Sequence, residues 1–99
     1  MNLEKKIKEI LGSAETWKFS WNEKENSFTI TYGKMYDAPE ISFPLLSKIS
    51  KLFGTENINV DDYSILGCDT CDFGSDYGHT IKIKEITKNL GNIKKLVEV

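Results

Sequence analysis

Glu15-Thr-Trp-Lys-Phe-Ser-Trp-Asn-Glu-Lys-Glu-Asn-Ser-Phe-Thr-Ile-Thr-Tyr32 is the stretch whose reading decides the fold. Trp17, Phe19 and Trp21 alternate with Lys18 and Ser20, and Phe28, Ile30 and Tyr32 alternate with Thr29 and Thr31. Successive side chains of an extended chain leave on opposite faces, so each run reads as a strand with one apolar and one polar side. The polar residues Asn22 to Asn26 connect them as a hairpin. The aromatic residues could stack nucleic-acid bases, but alternating aromatics on a strand are read here as core.

Working outward, Leu3, Ile7, Ile10 and Leu11 recur at helical spacing, and Gly12 and Ser13 end that helix. After the hairpin, Gly33 to Pro39 reads as a loop. A second helix starts with Ser42 as N-cap, which puts Pro44 in the first turn, where a missing N–H is harmless. Leu45, Leu46, Ile49, Leu52 and Phe53 form its apolar stripe, and Gly54 suits the position after its end. A start at Asp37 with a capping box to Glu40 is the alternative, at the expense of a mid-helix proline.

Ile58, Val60, Tyr63 and Ile65 predict a third strand, with a bulge near Asp61-Asp62 where the apolar phase shifts. Ile81, Ile83 and Glu85 alternate with Lys82, Lys84 and Ile86 in a fourth, paired to the third as a hairpin. The tail from Thr87 to Val99 is read as a short helix or another strand, either interrupted by Gly91. The expected fold is α+β: one domain over residues 1–99, an antiparallel sheet of about four strands, and two or three helices on one face.

At 39% hydrophobic and 28% charged residues the composition is globular, and no apolar run is long enough to cross a bilayer. The N-terminal stretch mixes acids with lysines and has no apolar segment before a cleavage site, so it does not read as a signal peptide. With only two cysteines, a reducing cytoplasm is the expected compartment.

The net charge of −2 is unevenly spread. Glu56, Asp61, Asp62, Asp69, Asp72 and Asp76 occupy a stretch without a lysine. All thirteen cationic residues are lysine. Without arginine's bidentate fork, direct nucleic-acid recognition is disfavoured. The acidic stretch points to a basic protein partner, with Glu56, Asp61, Asp62, Asp69 and Asp76 as the contacting residues, to cation coordination, or to a solvated acidic loop.

The tip of the second hairpin, Gly67-Cys-Asp-Thr-Cys-Asp-Phe-Gly-Ser-Asp-Tyr-Gly-His-Thr-Ile81, concentrates both cysteines, the one histidine and three aspartates. Cys68 and Cys71 at C-x2-C spacing can hold one ion from a tight turn. Zinc favours sulfur and nitrogen in a tetrahedron, which makes His79 the third candidate ligand and Asp72 or Asp76 the fourth. Water, a partner residue, or four cysteines shared by two chains are other ways to close the shell. The protein is accordingly expected as a monomer or a zinc-bridged dimer. Unligated thiols and a disulfide or redox pair remain open readings, and His79 has the alternatives of capping the hairpin or pairing with an aspartate.

A thioredoxin-like role fits poorly, because the motif is followed by glycine, aspartate and a strand rather than a helix. The aspartate spacing does not match a calcium loop. No phosphate-binding glycine loop, H-E-x-x-H motif or second histidine supports catalysis, and so small a chain rarely encloses a substrate. A non-catalytic protein is expected. A small metal-dependent or thiol-redox enzyme built on Cys68, Cys71 and His79, and a lysine-based nucleic-acid-binding module, are the alternatives.

Pro44-Leu-Leu-Ser-Lys-Ile-Ser-Lys-Leu-Phe-Gly-Thr55 and the later Gly67-Cys-Asp-Thr-Cys-Asp-Phe-Gly-Ser-Asp-Tyr-Gly78 resemble small proteins of phages and prophages of Gram-positive bacteria. The resemblance covers the middle and C-terminal half and is most specific at the C-x-x-C-D-x-G-S tract. Some such proteins are anti-CRISPR inhibitors that bind Cas9, and the chain looks similar to a metal-containing member of that class. The resemblance implies inhibition by binding in the cytoplasm of a host cell, with Cys68, Cys71 and His79 as metal ligands and no catalytic residues.

Overall fold

The computed structural model describes residues 2–12, 14, 16–35, 41–65 and 76–97, of which 34–35, 62–65 and 76–77 are described by backbone alone. The elements run α1 (Leu3–Leu11), β1 (Thr16–Asn22), β2 (Ser27–Met35), α2 (Phe43–Phe53), β3 (Ile58–Ile65), β4 (Asp76–Lys84) and α3 (Leu90–Val97). The four strands form one antiparallel sheet in the order β1-β2-β4-β3. The α+β architecture and both expected hairpins are present.

The register explains why one face is core. Phe28 lies across from Trp21 and Ile83, Ile30 from Phe19 and Ile81, and Tyr32 from Trp17 and His79. Ile58 and Val60 extend the same rows onto β3, across from Ile83 and Ile81. These residues share one side of the pleat, and the other side carries Lys18, Ser20, Thr29, Thr31, Thr80 and Lys82. Leu3, Ile7 and Leu11 of α1, Ile49 and Phe53 of α2 and Ile93 of α3 join Phe28, Ile30, Tyr32, Ile81 and Ile83 in a single buried cluster. The helices therefore cover the apolar face, and Trp17, Phe19 and Trp21 pack against the cluster as half-buried core residues.

Local chemistry sets the helix ends. Asn2 caps α1, its side-chain oxygen accepting from the Lys5 N–H at 3.1 Å, and Gly12 closes the helix at φ 87°. Ser42 is the N-cap of α2 with Pro44 in the first turn, although the Ser42 side chain makes no capping hydrogen bond. Gly54 ends α2 in the left-handed conformation, φ 66°. A Cβ at Gly54 would also run into the Thr87 hydroxyl, which donates to the Gly54 carbonyl at 2.7 Å. Asn89 fixes the next crossing, its Nδ2 donating to the Leu52 carbonyl at 2.7 Å.

Four expectations are corrected. β2 continues through Gly33, Lys34 and Met35, which pair with Gly78, Tyr77 and Asp76, so no loop begins at Gly33; the rest of that expected loop, 36–39, lies outside the described residues. The β3–β4 register runs from Ile58↔Ile83 to Ile65↔Asp76 with no inserted residue, so Asp61-Asp62 forms no bulge. Ile86 is buried rather than on the lysine side, because Glu85 adopts φ 57° and turns the chain off the strand. Gly91 does not break the tail: it sits exposed in the first turn of α3, where its helix penalty of about 1 kcal/mol is outweighed by full burial of Ile93.

Candidate functional site

The acidic stretch acquires a position from the strand order. Among the described residues β3 pairs only with β4, which makes it the edge strand of the sheet. Glu56, just before the strand, and Asp61, within it, are exposed. Asp61 lies across from Thr80, and Asp62 lies across from His79 in the register. Asp76 is the first residue of β4, directly across from Ile65 at the end of β3. Acids on an edge strand oppose pairing with another sheet and present charge to whatever approaches from that side. Asp69 lies outside the described residues, as do Cys68, Cys71 and Asp72.

His79 is the one metal-ligand candidate whose side chain is described. It is half-buried on the helix-covered face, in the same row as Ile81 and Ile83, with its ring 5.8 Å from that of Tyr32 at a 52° tilt. It stands three residues inside β4, roughly 10 Å along the strand from Asp76 at ~3.3 Å per residue. The connection that carries both cysteines leaves from Ile65 and returns at Asp76. A zinc shared by Cys68, Cys71 and His79 therefore requires that connection to reach over the core face toward the Tyr32 end of the sheet. Among the described residues no group of three or more histidine, cysteine or acidic side chains converges as a metal site.

Tyr32 is the feature that the sequence pattern did not single out. Its ring is fully buried, stacked 5.4 Å from Trp17, and its hydroxyl has no hydrogen-bond partner among the described residues. Burial pushes the phenol up to about 12. Alternation in the sequence marks Tyr32 as inward-facing, whereas its complete enclosure follows from pairing with both β1 and β4, which local pattern does not reveal.

On the other face, Lys82 reaches Glu25 in the first hairpin turn at 2.9 Å, and its ammonium holds that exposed carboxyl below the usual range. The hollows among the described residues are open grooves at the surface, one along α1 beside Trp17 and another between α1 and α2. No described helix is long and apolar enough to cross a membrane. Comparison with protein-family models, curated proteins and solved structures finds no match to the chain.

Proposed function

We propose that the chain is a non-catalytic binding protein that engages a basic protein partner along the β3 edge and the adjoining hairpin tip. The observation that carries this reading is that the lysine-free acidic stretch includes the edge strand β3, with Asp61 exposed within it and Glu56 exposed just before it. Charge at such a position steers association and selects partners more than it adds stability. A zinc ion held by Cys68, Cys71 and His79, with Asp72 as a fourth candidate, would stiffen the tip and preorganise the acidic surface. The C-x2-C spacing supports that site. The resemblance of the Pro44–Thr55 and Gly67–Gly78 tracts to phage proteins gives the reading its sharpest form, inhibition of a Cas9-type CRISPR effector.

The experiment is DNA cleavage by a panel of purified Cas9-type effectors with increasing amounts of the protein. Stoichiometric loss of cleavage by at least one effector is expected. Full cleavage by every effector at large excess sinks the Cas9 form of the proposal and leaves the basic partner to be sought elsewhere.

A further inference from the structure

The three helices carry the opposite charge from the β3 edge: seven lysines against two glutamates. Three of those lysines, Lys6 of α1 and Lys48 and Lys51 of α2, converge on one groove between the two helices. Ile10 and Leu52 also line it; both pack partly against the core and keep apolar surface turned to the groove. Glu9 lines the groove too, yet closes no ion pair with any of these lysines. Among the described residues none of the three groove lysines has a glutamate within ion-pair distance, unlike Lys8, Lys82 and Lys94, and what sets the groove apart is that three such lysines flank the apolar side chains of Ile10 and Leu52.

From this arrangement we infer that the α1/α2 groove is a second docking surface, one that takes an acidic amphipathic helical segment of a partner protein. An apolar floor with a rim of unneutralised ammonium groups is complementary to a helix with apolar residues on one face and carboxylates beside them. A bare phosphate chain would leave Ile10 and Leu52 uncovered, and the absence of arginine argues the same way. The length fits as well: α2 has 11 residues, and at ~1.5 Å per residue this spans roughly three helical turns, enough for two or three apolar anchors. The surface is distinct from the acidic β3 edge and does not depend on the partner proposed there.

The test is titration of the full-length, isotope-labelled protein with a synthetic peptide carrying leucines at i, i+4 and i+7 and flanking glutamates, followed by amide shifts. Shifts confined to the neighbourhood of Lys6, Ile10, Lys48, Lys51 and Leu52 are expected. Affinity should fall about tenfold in Lys48→Glu/Lys51→Glu, and should weaken as salt shortens the reach of the charges from about 10 Å to about 3 Å. Both lysines are exposed, so an unchanged melting temperature verifies that the variant is folded. The same peptide with glutamines for glutamates should not bind. Absence of binding, shifts located elsewhere, or equal affinity for the variant overturns the inference. So does binding to anionic phospholipid vesicles but not to the peptide, which would assign the lysines to a membrane surface instead.

Discussion

Replacing Tyr32 with phenylalanine should stabilise the protein, an unusual outcome for a fully buried core position. The ring contacts with Trp17 at 5.4 Å and His79 at 5.8 Å survive the substitution, because only the hydroxyl is removed. That hydroxyl is buried without a partner among the described residues, so folding strips it of water and returns no hydrogen bond from them. Such burial costs about 1–3 kcal/mol, so the expected gain is about 1–2 kcal/mol after small losses in packing. For a domain of 99 residues, each kcal/mol raises the melting temperature by roughly 4–8 °C.

The same geometry gives a pH signature. The folded-state phenol is raised from 10.0 to about 12, so the unfolded chain releases this proton first. Stability from this group is intact below pH 10, declines as pH rises through the window to about 12, and falls in total by about 3 kcal/mol. Urea unfolding of both proteins across that window measures the difference directly, since the two differ only at residue 32. The advantage of Tyr32→Phe should widen with pH. A variant less stable than the parent at neutral pH would overturn this reading by showing that the hydroxyl has a partner, and a difference that is flat from pH 9 to about 12 would overturn it by showing that the phenol keeps its water.

Three further perturbations follow from the packing and the proposed site. Phe53→Ala removes a fully buried ring 5.6 Å from Phe28 and should cost about 3–5 kcal/mol in chemical denaturation. Gly54→Ala places a Cβ on a left-handed residue and against the Thr87 hydroxyl; a loss of about 1 kcal/mol or more is expected by thermal melting. Protein purified without chelator should contain one zinc per chain by elemental analysis, or one per two chains if four cysteines bridge a dimer. Cys68→Ser/Cys71→Ser should abolish that content, and metal-free protein with both thiols freely titratable would contradict the zinc proposal.

The local signals were legible in the sequence where a residue's role depends on its immediate neighbours. The alternation at Trp17, Phe19 and Trp21, the Ser42 start with Pro44 in the first turn, and the Gly54 stop all involve a few consecutive residues. Misreadings arose where tertiary context overrides local preference. Gly91 is a poor helix former, but Ile93 buries fully and draws the tail into α3. The apolar phase shift at Asp61-Asp62 suggested a bulge, whereas hydrogen bonding to β4 carries the register through it. A single positive φ at Glu85 redirected Ile86 into the core.

The candidate site was legible to a different degree. The acidic stretch was visible as composition, but its place at a sheet edge depends on the pairing of β2 with β4, between residues some fifty positions apart. His79 looked like part of the tip, and the structure puts it deeper, against Tyr32 on the covered face. The lysines of the α1/α2 groove come from two helices and converge only on folding, so no spacing rule could have joined them.

The most direct measurement of the central claim is the affinity of the basic partner for the parent protein and for an Asp61→Asn/Asp62→Asn/Asp76→Asn variant, read by biolayer interferometry at low and physiological salt. Association should be slower by about tenfold or more in the variant, with the gap closing as salt rises, while thermal stability stays close to that of the parent. Equal association rates for the two proteins at every salt concentration would contradict the acidic β3 edge as the binding surface.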